Sequence, residues 1–262
     1  MNSIEELLEV MRILRDPERG CPWDREQTAA SILPYTLEEV YELADAIERG
    51  NGHELRDELG DLLFHVVYYA RIMEEKGEFD FADVVRQVSE KLKRRHPHVF
   101  ADADAGTPEQ RAKSWERIKA EERRGNSEEK PGVMDGISRN MPALSVAGKI
   151  QRRAAGAGFD WNGAEQVLDK IQEEIEEIRH ELKTGGSKER IMEETGDLFF
   201  ACVNFARRAD IAPEIALRRA NDKFIERFRY MENELAKQGK SPGEASMDEM
   251  EELWMKSKTA GK

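Results

Sequence analysis

The residues with the clearest capacity for chemistry are acidic groups spaced to share one face of a helix. Glu39 and Glu42 are three apart and Glu38 and Glu42 four apart, so each pair lies on one helical face. Glu58 and Asp61 repeat the three-residue spacing on the next apolar segment. Like charges at this spacing repel each other. If the two segments pack antiparallel, three or four carboxylates converge, and a hard cation such as Mg²⁺, which prefers oxygen ligands, would stabilise them.

The same acidic set occurs again about 135 residues later in the chain. The second set consists of Glu174, Glu177, Glu194 and Asp197, with Glu173 beside them. Two further blocks recur in the same order. The basic pair Lys91 and Arg95 returns as Lys223 and Arg227. The pair Trp115 and Lys119 returns as Trp254 and Lys258. Four blocks in the same order indicate an internal duplication, which must be recognised before the fold can be predicted.

The duplication predicts two domains joined by a short linker. The stretch from Glu121 to Gly132 is charged, contains Gly, Asn, Ser and Pro, and has no periodic apolar residue. We therefore predict a first domain at residues 1–122, a linker at 123–132 and a second domain at 133–262.

Apolar periodicity predicts that both domains are helical. In the first copy, apolar residues recur at steps of three and four over residues 33–47, 55–70 and 81–92, with stops at Gly50–Gly52, near Gly77 and at His96-Pro97. Alternation typical of strands is nearly absent. We predict an all-α fold, a tandem repeat of two helical bundles. The second helix of each copy is apolar around most of its circumference, so we expect packing between the copies or between chains to complete the bundles.

Composition excludes several classes of protein. The 262-residue chain carries a net charge of −13, which argues against a nucleic-acid binder. Its longest uncharged apolar-rich runs have about nine residues, whereas a membrane span needs about 20. The N-terminal residues lack a signal-peptide pattern, and two cysteines cannot build a disulfide framework, so we expect a cytoplasmic protein. We expect Cys202, within an apolar stretch, to be buried.

Basic and aromatic residues near the acidic sets suggest a phosphorylated ligand. Lys223 and Arg227 share a helical face, and either can bind phosphate oxygens. Trp254 with Lys258 offers an aromatic surface for a base and a further positive charge.

Taken together, these motifs resemble the MazG family of nucleoside triphosphate pyrophosphohydrolases in its two-copy form, over essentially the whole chain. Beyond the acidic set, Gly20-Cys21-Pro22-Trp23-Asp24 resembles the opening of the family's first copy, and Gly158-Phe159-Asp160-Trp161 that of its second. The resemblance implies two MazG-like domains, similar in fold to dimeric all-α dUTPases. It also implies Mg²⁺-dependent hydrolysis of nucleoside triphosphates to monophosphate and pyrophosphate, with Mn²⁺ as a substitute metal and a role in nucleotide pool control.

Carried over position by position, the resemblance implies specific roles for site residues. The implied Mg²⁺ ligands are Glu174, Glu177, Glu194 and Asp197, with Glu39, Glu42, Glu58 and Asp61 as their first-copy equivalents. The implied nucleotide contacts are Lys170, Glu173, Arg190, Lys223, Arg227 and Trp254, where Arg190 replaces the Lys that the family often has.

One difference between the copies favours the second as the catalyst. Asn204 follows Asp197 by seven residues on the same helical face, whereas Tyr68 follows Asp61. An amide can both donate and accept hydrogen bonds with a sugar or base, whereas Tyr is bulkier and has one hydroxyl. The first copy keeps every carboxylate, so its activity stays open. Either Glu173 or Glu177 serves as the general base in this hypothesis.

Two other classes remain as alternatives. A carboxylate-bridged di-iron bundle needs Glu-x-x-His motifs on two helices, and only Glu177 with His180 supplies one. A non-catalytic acidic scaffold would use these faces only for solubility or docking. Symmetry and the resemblance both favour a homodimer.

Overall fold

In the computed structural model, every regular element of the described residues is helical. The described residues are 3–101, 104, 106–124, 132–138, 140–161 and 163–260. The chain divides into two compact units, Met1–Ala120 and Glu121–Lys262. Residues 125–131 of the predicted linker lie outside the described part of the chain. The all-α prediction is confirmed.

The first unit is built around a long helical hairpin. Its helices are α1 (Ser3–Leu14), α2 (Pro22–Glu26), α3 (Ala29–Arg49), α4 (Gly52–Glu75), α5 (Phe81–Arg95), α6 (Pro97–Phe100) and α7 (Pro108–Arg124), the last of which extends past the unit's end. Helix α4 packs against α1, α3 and α5. The buried cluster of this unit consists of Met11, Ile32, Val67, Tyr68 and Ile72.

Local sequence signals set the ends of α3 and α4. Thr28 and Ser31 form a capping box at the start of α3, and Gly50 ends this helix with a left-handed conformation at φ 68°. Asn51 then caps α4, because its side chain accepts hydrogen bonds from the backbone N–H groups of His53 and Glu54. Such a tight connection sets the two helices antiparallel, as the acidic pattern requires.

The second unit repeats this plan. Its helices are α8 (Ala143–Gly156), α9 (Ala164–Thr184), α10 (Lys188–Arg208), α11 (Pro213–Lys237) and α12 (Met247–Ala260). Helices α9 and α10 form the hairpin, with Gly185 at φ 72° ending α9 and Ser187 capping α10. Helix α8 packs on α10 and α11, while α12 packs on α11 around Met231, Leu235 and Leu253.

Many apolar residues of the hairpins are exposed in the single chain. On α3 they include Leu33, Leu37, Val40 and Ile47, and on α4 they include Leu59, Leu63 and Val66. The prediction that Cys202 is buried is wrong, since it lies on an outward face of α10. Its neighbours Ala201 and Val203 take the inward positions instead. Each helix of the described residues is too short or too polar to cross a membrane.

Candidate active site

Three carboxylates meet where α9 and α10 lie side by side in the second unit. One oxygen each from Glu174, Glu194 and Asp197 lies within 4.8 Å of the others. Glu174 and Glu194 are only 4% and 7% exposed. Glu174 Oε2 is buried and has no hydrogen-bond partner among the described residues. A buried carboxylate oxygen without a partner is costly, and carboxylate oxygens are the ligands that hard divalent cations prefer, so this set fits such a cation.

Two basic side chains form ion pairs with residues of this cluster. Lys170 Nζ lies 2.7 Å from Glu173 Oε1 and 2.8 Å from Glu174 Oε1. Arg190 Nη1 and Nη2 lie 2.6 Å from oxygens of Glu193 and Glu194, respectively. Hydrogen bonds to Glu173 and Glu174 raise the pKa of Lys170, and the hydrogen bond to Glu193 together with the charge of Glu194 raises the pKa of Arg190. Both cations therefore partly neutralise the acidic cluster.

The other two predicted acidic residues lie beside the cluster. Glu177 is exposed and outside the three-oxygen group, but its interaction with the Glu174 carboxylate raises the pKa of Glu177. Glu173 is also exposed and pairs with Lys170. Each of these two carboxylates is therefore adjacent to the cluster while remaining open to water.

A pocket of about 290 Å³ opens beside the carboxylates. Its walls are both acidic and apolar, and consist of Trp161, Val167, Lys170, Glu174, Asp197, Phe200, Ala201 and Asn204. A lining that combines charged side chains with an aromatic and aliphatic surface suits a ligand with a charged part and a flat apolar part.

Asn204 is held in this pocket by a polar network. The residue is 3% exposed, and its Oδ1 accepts hydrogen bonds from Arg207 Nε at 3.1 Å and Nη2 at 2.8 Å. Arg207 also donates two hydrogen bonds to the Asp160 carboxylate, which Arg208 approaches at 3.2 Å. Burial alone would raise the pKa of Asp160, but the hydrogen bonds and charge of Arg207 outweigh it and lower the pKa.

The first unit has an equivalent carboxylate cluster. Oxygens of Glu39, Glu58 and Asp61 lie within 4.8 Å of one another. Burial and the charge of Asp61 raise the pKa of Glu39, while burial and the charges of Glu42 and Asp61 raise the pKa of Glu58. Glu42 thus lies near this cluster but outside its three-oxygen group. Both clusters contain only carboxylates, and His180 of the di-iron alternative is exposed.

The first unit has larger side chains at two of the positions that line the second-unit pocket. At the positions equivalent to Ala201 and Asn204 stand His65 and Tyr68, which are both buried. The Tyr68 hydroxyl donates to the backbone oxygen and to Oδ1 of Asp24, at 2.9 and 3.0 Å. Burial raises the pKa of Tyr68 to about 12 and lowers the pKa of His65.

The predicted residues of the second unit's C-terminal part lie on α11 and α12, outside the pocket lining given above. Arg227 Cζ lies 5.8 Å from the centroid of the Trp254 ring, which also packs on Phe224. Lys223 and Lys258 are exposed. The structure thus places Lys170, Glu174, Asp197 and Asn204 around one pocket and leaves this basic and aromatic group on separate helices.

Sequence reasoning assigned no role to several residues of the pocket and its support. They are Asp160, Trp161, Val167, Phe200, Ala201 and Arg207. Asp160 and Trp161 belong to a motif noted in the sequence, and Asp160 lies 136 positions after Asp24, the same offset as Asp197 from Asp61. Extending the repeat alignment to this motif would have found Asp160, whereas Trp161 aligns with Arg25 at the same offset.

The fold and the site define a class: a duplicated all-α protein with a three-carboxylate cluster in each helical hairpin. Residues 27–100 and 162–231 both match the family described as the MazG nucleotide pyrophosphohydrolase domain. The chain belongs to the MazG family, as the sequence motifs predicted.

Two relatives are similar over nearly the entire chain. The chain is 49% identical to a nucleoside triphosphate pyrophosphohydrolase of Escherichia coli K12, over 98% of both chains. It is 44% identical to the nucleoside triphosphate pyrophosphohydrolase/pyrophosphatase MazG of Thermotoga maritima, over 97% of this chain and 95% of that one. A solved structure of a mazG-related protein from Thermotoga maritima matches 44% of this chain and 97% of its own, at 28% identity and a TM-score of 0.38.

Proposed function

We propose that this protein hydrolyses nucleoside triphosphates, ribo or deoxy, to monophosphate and pyrophosphate at the α9–α10 hairpin, with Mg²⁺ as its cofactor. The observation that carries the proposal is the buried cluster of Glu174, Glu194 and Asp197, with an unpartnered Glu174 oxygen, at the edge of a partly apolar pocket. These three residues would hold the metal, with Glu177 beside them. Mn²⁺, which accepts the same oxygen ligands, would substitute for it.

The residues around the cluster divide the remaining tasks. Bound Mg²⁺ supplies positive charge that neutralises the triphosphate and the leaving pyrophosphate. Lys170 and Arg190 already lie against the carboxylates that would bind the metal, so they can turn to phosphate oxygens once those carboxylates are engaged. Glu173 or Glu177, exposed beside the cluster, would hold the attacking water and accept its proton.

The same reasoning supports the second unit as the main catalyst. Both units have the three-carboxylate cluster, but the first has the larger, buried Tyr68 and His65 at the positions where the second has the pocket residues Asn204 and Ala201. The pocket of about 290 Å³ beside the second cluster offers room for a triphosphate with a base attached. In the cell such an enzyme would control the composition of the nucleotide pool.

We also propose that the protein is a homodimer. The exposed apolar residues on α3 follow steps of three, four and seven residues, and those on α4 follow steps of three and four. Two adjacent apolar stripes on one hairpin can pair with the same stripes of a second copy about a two-fold axis, which is the commonest symmetry of soluble oligomers.

The decisive experiment measures the products formed from the eight common nucleoside triphosphates, with and without Mg²⁺. We expect pyrophosphate, because Mg²⁺ held by the cluster, together with Lys170 and Arg190, would stabilise it as the leaving group. Orthophosphate as the product would move cleavage to the terminal bond and contradict the proposal.

Variants of the two clusters locate the activity. Glu174→Gln removes a charge from the buried cluster while keeping its shape, and we expect at least a 100-fold loss of turnover, about 2.7 kcal/mol. Glu39→Gln makes the same change in the first unit, and we expect most of the turnover to survive. If the Glu174→Gln, Glu39→Gln double variant kept wild-type turnover, neither cluster would be the active site.

A further inference from the structure

We propose that Arg207 is a positioning residue that fixes the Asn204 amide so that its NH₂ group faces the nucleoside part of the ligand. This inference rests on the proposed function, since it names how the nucleotide is recognised in the same pocket. It assigns a role to two residues, Arg207 and Asp160, that lie behind the pocket wall.

The orientation of the amide follows from the chemistry of its partner. Arginine carries N–H donors and no acceptor. Two of these donors, Nε and Nη2, lie 3.1 and 2.8 Å from one atom of Asn204, so that atom must be the amide oxygen. With Oδ1 occupied by Arg207, the NH₂ group is the end of the side chain that remains for a ligand in the pocket that Asn204 lines.

Arg207 is itself held in place by a second bidentate contact. Both of its terminal nitrogens donate to the Asp160 carboxylate. The Arg207 side chain is only 12% exposed, and Asp160 lies in the segment just before Trp161, another residue of the pocket. A guanidinium held at two sides has little freedom to rotate, so the amide orientation is set before the ligand binds.

The position of Asn204 selects the nucleoside rather than the phosphates. Asn204 follows Asp197 by seven residues on α10, about 10 Å along the helix axis at 1.5 Å per residue. The phosphates belong beside Asp197, and Phe200, Ala201 and Trp161 line the pocket between or near the two ends. An NH₂ group at this distance meets an acceptor of the nucleoside, which is a sugar oxygen, a ring nitrogen of the base or, in bases that have one, a carbonyl.

The first unit uses the equivalent positions differently. Tyr68 replaces Asn204 and donates directly to Asp24, the equivalent of Asp160. Arg71, equivalent to Arg207, instead pairs with Glu74 and Glu75. The Arg–Asn–Asp arrangement therefore belongs to the unit that has the pocket.

The test compares a ligand that has a nucleoside with one that lacks it. Affinities for α,β-methylene ATP and for inorganic triphosphate are measured by titration calorimetry with Mg²⁺, and KM and kcat are measured with ATP. For Arg207→Leu we expect about tenfold weaker binding of α,β-methylene ATP, typical of one lost hydrogen bond. We expect the affinity for inorganic triphosphate to change less than twofold. KM should rise about tenfold while kcat changes little.

Two further variants complete the comparison. Arg208→Leu removes a neighbouring cation that also approaches Asp160 but is not hydrogen-bonded to Asn204, and we expect both affinities to stay within twofold of wild type. Arg207→Lys keeps the charge for Asp160 but loses the planar fork, so it should restore only part of the nucleotide affinity.

Several outcomes would overturn the inference. They are an equal loss for both ligands, no loss for either, or the same loss in Arg208→Leu. If Arg207→Leu fails to fold, Asn204→Asp decides the question, because it keeps a partner for Arg207 and removes the NH₂ donors. The Asn204→Asp variant should lose at least tenfold more affinity for α,β-methylene ATP than for inorganic triphosphate. Equal losses of affinity for the two ligands would refute the proposed role of the amide. The proposed function itself would fail on a different observation: wild-type protein would release no pyrophosphate from any nucleotide.

Discussion

Two carboxylate clusters of the same composition differ in the side chains that stand beside them. In the second unit Asn204 and Ala201 leave room for a ligand, whereas in the first Tyr68 and His65 are buried at the same positions. The carboxylates alone therefore do not distinguish the two units. The difference between them is the size of the side chains at two positions on α4 and α10, and we base the proposal of a second-unit active site on it.

The buried hydroxyl of Tyr68 should contribute measurably to stability. Tyr68 is 0% exposed and donates to the Asp24 carboxylate. Tyr68→Phe keeps the ring and removes this hydrogen bond, so we expect the free energy of unfolding to fall by about 2 kcal/mol. Urea denaturation followed by circular dichroism measures the change.

The matched control for this prediction is Tyr35→Phe. The Tyr35 ring is 45% exposed, so removing its hydroxyl should leave the denaturation curve close to that of wild type. A Tyr68→Phe protein that is as stable as Tyr35→Phe would show that the contact to Asp24 is worth nothing net.

At the scale of the helices, most of the architecture could be predicted from the sequence. Apolar periodicity and stop residues such as Gly50 and Gly77 predicted the helices of the first copy, the duplication extended them to the second, and the acidic spacing predicted that carboxylates would converge. The spacing could not show that Glu42 and Glu177 lie outside the three-oxygen groups. The side-chain conformation of each residue decides whether its carboxylate reaches the cluster, and helical periodicity does not determine that conformation.

The support behind the pocket was less predictable for a different reason. Arg207 and Asp160 are 47 residues apart and come from different segments, and a charged pair at this distance has no periodic signature. The outward position of Cys202 was mispredicted because an apolar run does not reveal which face of a helix is inside. In these cases tertiary packing supplied information that local sequence lacks.

An ion pair that links helices should make the first unit sensitive to acid. Arg15, at the end of α1, is buried, donates to the carbonyls of Asp24 and Gln27 and pairs with Glu75 on α4 at 2.7 Å. Burial alone would raise the pKa of Glu75, but Arg15 outweighs it and lowers the pKa. The folded pKa thus lies below the unfolded value near 4.5, so the contribution is complete above about pH 4.5 and is lost as pH falls through the folded pKa.

We therefore expect Glu75→Gln to lower the free energy of unfolding by about 1.5–3 kcal/mol at pH 7, and by clearly less at pH 3. Urea denaturation of both proteins at the two pH values checks this. Glu74→Gln removes the exposed Glu74–Arg71 pair and should change stability little at either pH. A difference between wild type and Glu75→Gln that does not shrink at pH 3 would contradict the pKa argument.

At the scale of the whole molecule, the exposed hairpin faces predict self-association. Leu33 on α3 and Val66 on α4 are 49% and 39% exposed within apolar stripes, and contiguous apolar surface of this kind marks an interface. Wild-type protein should sediment at twice the chain mass of 30.1 kDa. Leu33→Glu with Val66→Glu places four charges in a two-fold interface, and we expect the dissociation constant to rise at least 100-fold. Val99→Glu, the same change at an exposed residue on α6, should leave the dimer intact. Monomeric wild-type protein at micromolar concentration would mean that these stripes do not pair.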